Sequence, residues 1–157
     1  MNDHHLREQL VNALAKRQAH QRFDQVVGDF PEEHFNTRAA NVPYSFWHLL
    51  EHIRICQWDI LDYIENPNYQ YLSFPDDYWP DPGSEADAAS WNETIAAFRA
   101  DLQSLINIVN DPTRDLCAQI PHGQRGHTIL REILVVAAHN SYHIGEFGIL
   151  RGTLDLW

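Results

Sequence analysis

The stretch T-I-L-R-E-I-L-V-V-A-A-H-N-S-Y-H-I-G-E-F-G-I-L-R, residues 128–151, decides how this chain folds. Leu130, Ile133, Leu134 and Ala137 recur at three- and four-residue steps, the pattern of a helix with an apolar face. Thr128 is suited to cap its start, and Gly152 stands just past the expected end near Arg151. Within the helix His139 and His143 lie four residues apart. His139 follows Val135-Val136-Ala137-Ala138, so it emerges from an apolar stretch and not from a charged face.

Working outward, three further segments carry helical periodicity. The first is expected from Asp3 to Gly28, with Leu6, Leu10, Ala13, Leu14 and Arg17 followed by Phe23, Val26 and Val27, and Gly28 as its stop. The second has Pro43 in its first turn and carries Phe46, Leu49, Leu50, Ile53, Trp58, Ile60, Leu61 and Ile64 as far as Asn66-Pro67. The third begins between Ser84 and Ser90, carries Trp91, Ile95, Phe98, Leu102, Leu105, Ile106 and Val109, and stops before Pro112. No strand alternation, repeat or low-complexity tract interrupts them. The expectation is an all-α four-helix bundle forming one domain over residues 1–157. Residues 68–83 hold Pro75, Pro80 and Pro82 among Tyr69, Tyr71, Phe74, Tyr78 and Trp79. That makes a long connection between helices two and three, of the kind that often covers a site or crosses along a bundle.

A chain of 157 residues can close a substantial core without staples. Its 11 Lys and Arg against 22 Asp and Glu give a net charge of −11, which repels phosphate backbones and argues against nucleic-acid binding. No apolar run approaches the roughly 18 residues of a membrane span. Residues 1–5 lack the basic patch and apolar core of a signal peptide. Cys56 and Cys117 form no C-x-x-C pair, so reduced thiols in a cytoplasmic protein are expected, with one disulfide as the alternative.

Ten histidines are unusual, and six of them fall in three local groups. Helix two holds His48 and His52 in W-H-L-L-E-H-I, at the same four-residue spacing as His139 and His143. A four-residue step on a helix turns a side chain by about 40° and raises it by about 6 Å. Both imidazoles of such a pair therefore share a face and can hold one ion. Imidazole nitrogen suits zinc, nickel, copper and iron(II). The bland reading is a set of core histidines satisfied by hydrogen bonds, and two matched pairs on separate helices weigh against it. Cys56, Asp59 and Glu51 are weaker ligand candidates, while His122 and His127 flank a loop whose Arg125 could meet an anion.

The segments S-F-W-H-L-L-E-H-I-R (45–54), S-W-N-E-T-I-A-A-F (90–98) and H-N-S-Y-H-I-G-E-F (139–147) resemble the DinB/YfiT-like family of metalloenzymes over essentially the whole chain. The resemblance implies three ligands, His52, His139 and His143, for a divalent ion such as zinc, nickel or iron. It leaves His48 as a fourth ligand, a nearby base or a rim residue. Glu146 stands where the family commonly has glutamine, and it could accept the N–H of a ligand histidine or take up a proton. The activity implied is transfer or isomerisation with a low-molecular-weight thiol as cosubstrate. The alternatives are a hydrolase using metal-bound hydroxide, with Glu146 or His48 moving the proton, and a non-catalytic metal-binding stress protein. A small-molecule substrate and a homodimer complete the expectation.

Overall fold

A computed structural model describes residues 3–16 and 18–157. Among the described residues there are five α-helices: α1 (His4–Ala15), α2 (Phe23–Val27), α3 (Phe46–Glu65), α4 (Ala88–Asn110) and α5 (Ile129–Thr153). Short 3-10 turns stand at Glu32–His34 and Asp76–Tyr78. Among the described residues there is no strand, only an isolated bridge between Gln119 and Thr128.

The three long helices each begin at a side-chain cap. Ser45 accepts the N–H of His48, Asp87 that of Ser90 and Thr128 that of Arg131, so each spares one of the orphan donors of a first turn. Three details differ from the sequence reading. Pro43 lies two residues before the Ser45 cap and not in the first turn of α3. Gly152 lies inside α5, which runs to Thr153, and the left-handed residue beyond it is Asp155, with φ 54°. The segment expected as one helix from Asp3 to Gly28 is broken, with Lys16 extended at the end of α1 and α2 starting only at Phe23. Arg17 lies outside the described residues. Gly28 does end α2, and it does so at an ordinary φ of −66°. Its need for glycine is one of space, because a Cβ there would lie 2.7 Å from the Asp24 carbonyl oxygen.

α3 packs on both α4 and α5, α1 packs on the same two helices, and α2 lies on α5. Their apolar faces form two clusters. One gathers Phe23, Phe30, Phe46, Leu49, Leu50, Ile53, Phe98 and Phe147 among others, with Trp91 stacked on Phe35 at 4.0 Å. The other gathers Leu10, Tyr63, Leu105, Val109, Ile120, Ile133 and Val136. Along α3 and α5 the clusters are separated by a polar seam. Gln57, fully buried, donates to the Phe98 carbonyl at 2.7 Å and accepts from Asn140 at 2.9 Å. Unpaired amides at this depth would cost about 1–3 kcal/mol each, so the seam fixes how α3, α4 and α5 sit together. The histidines fall beside it.

Candidate metal centre

α3 and α5 face each other across the seam and bring His52, His139 and His143 together. Nε2 of His52 lies 3.3 Å from Nε2 of His143 and 3.3 Å from Nε2 of His139. Three nitrogens at ~2.0–2.1 Å from a tetrahedral zinc ion would stand ~3.3 Å apart, and both separations measured from His52 match that spacing.

The other nitrogen of each ring decides what these close approaches mean. Nδ1 of His52 is 2.7 Å from the Tyr78 carbonyl oxygen, which can only accept, so this nitrogen carries the proton. Nδ1 of His143 is 2.7 Å from Oε2 of Glu146, whose Oε1 takes the hydroxyl of Tyr44. In the neutral rings both Nε2 atoms therefore present lone pairs to each other at 3.3 Å. That arrangement is repulsive unless a cation lies between them. Carboxylate and carbonyl groups behind ligand imidazoles serve this purpose, fixing tautomer and ring plane. Nδ1 of His139 is buried without a partner among the described residues, next to the equally unpaired Oδ1 of Asn140.

Burial dominates the titration of His52 and His139. It lowers His52, and it holds His139 down at about 4, with the charges of His143 and His52 adding to the effect. His52 and His139 thus stay neutral at neutral pH, the form that ligates.

Cys56 competes with His143 for the third place. Sγ of Cys56 and the nitrogens of His52 and His139 all lie within 4.8 Å of one another. The thiol, however, sits 3.6 Å from Nδ1 and 3.8 Å from Nε2 of His52, beside the ring. A sulfur sharing an ion with Nε2 would lie beyond that atom, ~5 Å from Nδ1. Burial, helped by the charge of Asp59, also pushes the Cys56 thiol up to about 12. It packs as a neutral group.

His48 is not brought into this cluster. Its Nδ1 takes the Ser45 hydroxyl at 2.5 Å and its Nε2 donates to the Asp81 carbonyl at 3.0 Å. No nitrogen is left for an ion or for carrying a proton. Glu51 pairs with Arg54 at 2.5 Å and accepts from Thr94 at 2.8 Å. His122 and His127 close on Tyr63, at 2.8 Å and 3.0 Å, eleven residues and roughly 16 Å along α3 from His52. Arg125 is exposed. Both cysteines are free.

Residues 15–147 match the sequence model of the DinB superfamily. The chain belongs to the DinB superfamily. The match takes in both histidine segments, the connection between α3 and α4, and Glu146. No curated protein and no solved structure matches the chain.

In this DinB-superfamily chain Glu146 meets His143 as the sequence suggested, and the 66–87 connection supplies much of the rest of the surroundings of the histidines. Trp79 lies flat on His52, ring centroids 3.8 Å apart and planes within 3°. Tyr44 in turn stacks on Trp79, ring centroids 4.9 Å apart. The aromatic richness of the connection was visible in sequence, but its partner was not. A surface cleft of about 490 Å³ lies between α3 and α4, lined by Trp58, Asp62 and Asp101 and by none of the three histidines. At the histidines the side chains of His143 and Glu146 are 14% and 24% exposed. No helix of the described residues is long and apolar enough to cross a membrane.

Proposed function

We propose that this protein is a metal-dependent enzyme in which His52, His139 and His143 hold one divalent ion and a small thiol is activated for transfer or isomerisation. The observation that carries the reading is the pair of Nε2 lone pairs opposed at 3.3 Å with both Nδ1 protons already committed. A divalent ion held by three neutral imidazoles keeps its charge and lowers the pKa of a thiol or water that reaches it. The protein's own contribution is to gather the nitrogens of His139 and His143 around that of His52, to hold Nδ1–H of His143 on Glu146, and to cover one face of His52 with Trp79. Zinc, nickel and iron(II) all suit this donor set.

Hydrolysis needs a side chain free to move a proton, and the two candidates are engaged. Glu146 is bound by Tyr44 and His143, and His48 by Ser45 and Asp81. A thiol asks for less, since proximity to the ion suffices to form the thiolate. This favours a thiol cosubstrate over metal-activated water. The test is elemental analysis of the purified protein, then turnover of a chromogenic electrophile by metal-loaded protein with a panel of thiols. Thiol-dependent turnover lost in His139→Ala supports the reading. Ester cleavage without thiol would replace it with a hydrolase, and a bound ion with neither activity with a non-catalytic binder.

We read α1, α3, α4 and α5 as a single-domain four-helix bundle acting on a small molecule in the cytoplasm, with no nucleic-acid partner. We extend the reading to a homodimer through α5. That helix leaves Leu134, Tyr142 and Ile149 at 53%, 69% and 69% exposure, an uncharged window on a protein of net charge −11. Light scattering of wild type and Ile149→Glu tests this, and a wild-type monomer overturns it.

A further inference from the structure

Asp59, one of the weaker ligand candidates, has a different role. It stands on α3 seven residues beyond His52 and three beyond Cys56, on the face turned to the connection. Its side chain is buried, and each carboxylate oxygen receives one phenol: Tyr69 donates to Oδ1 at 2.7 Å and Tyr78 to Oδ2 at 3.0 Å. A buried carboxylate is tolerated only when such donors compensate it. The two tyrosines differ in what lies on their main chain. The carbonyl of Tyr78 receives Nδ1–H of His52, and the next residue, Trp79, covers the same ring. The described contacts of Tyr69 include none with His52.

We propose that Asp59 is a remote positioning residue of the metal centre. By anchoring the Tyr78 hydroxyl it holds the Tyr78 carbonyl on His52 and Trp79 on its ring, and so fixes the tautomer and the plane of the one ligand contributed by α3. The inference rests on the three-histidine reading above. It also gives the connection a function: the segment sets the geometry of a ligand it does not itself contain.

Two conservative substitutions separate wiring from general loosening, because each removes one hydroxyl from the same carboxylate. Zinc affinity of the full chain is measured by competition with a chromogenic chelator. The tautomer of His52 in metal-free protein is read from long-range proton–nitrogen NMR correlations. Tyr78→Phe is expected to weaken zinc binding roughly tenfold, the low end for groups that orient metal ligands, and to mix the two His52 tautomers. Tyr69→Phe is expected to keep both properties close to wild type. Equal effects in the two variants, or none in Tyr78→Phe, overturn the proposal. If wild type binds no zinc, the three-histidine reading fails, and the tautomer comparison still decides the positioning role. Thermal melts of both variants show that each is folded.

Discussion

Replacing Glu146 by alanine removes the acceptor behind His143 and leaves the imidazoles of His52, His139 and His143, the proposed ligands, in the chain. Oε2 of Glu146 is 2.7 Å from Nδ1 of His143. A hydrogen bond to an ionised group contributes about 1.5–3 kcal/mol. The carboxylate is 24% exposed, so water can replace part of the loss, and about 1.5–2 kcal/mol is the appropriate range. That corresponds to a rise of about 10- to 30-fold in the Kd for the ion. Glu146→Gln keeps a neutral acceptor of about half the strength, so its Kd rises only about threefold to fivefold. In that variant the Tyr44 hydroxyl has to turn from donor to acceptor, because the amide N–H now faces it. Both are measured as zinc competition against a chromogenic chelator near pH 7.5, with melts to confirm folding. The reasoning fails if Glu146→Ala binds zinc as tightly as wild type while His143→Ala releases it. The carboxylate would then be an ordinary polar group on α5.

Further expectations concern stability. Because burial and its neighbours hold His139 down at about 4 in the folded metal-free protein, the unfolded chain binds a proton near pH 6.5 that the folded one refuses. The stabilisation from neutral His139 is complete above about pH 6.5 and is lost as pH falls from there toward 4. Urea midpoints of metal-free protein fall less steeply over that window in His139→Gln, and an equal slope would refute the assignment. Arg151, buried, donates to the carbonyls of Leu156, Val26, Gly28 and Asp29. Arg151→Met strips these acceptors and should lower unfolding free energy by about 3 kcal/mol, read from chemical denaturation. Thr128→Ala removes the cap of α5 and should cost about 1 kcal/mol, visible as a drop of a few degrees in Tm.

Local signals explain most of what was legible. Caps, stripes and stops act over one or two turns, so Thr128 opens α5 as its sequence indicates. Pro43 and Gly152 missed their helix ends by a residue or two, and the break between α1 and α2 was the larger departure. Its polar run K-R-Q-A-H-Q-R, residues 16–22, offers no large apolar side chain to bury over nearly two turns. The stripe on either side hid this, because Leu10 joins one core cluster and Phe23 the other.

By itself the sequence determined four apolar helical stripes and two pairs of histidines at ligand spacing, because a helix imposes its period on neighbours in the chain. Spacing could not tell His48 from His52, since both pairs satisfy the same period. The difference is decided by which face of α3 meets α5 and which meets the connection, a matter of packing between segments far apart in sequence. His52 turns to His139 and His143, while His48 turns to Ser45 and Asp81. Glu146, one turn beyond His143, was within reach of the helical period, but only the tertiary structure could place Tyr78, Trp79 and Tyr44 around the histidines, because hydrogen bonds and ring stacking across such separations leave no period to read.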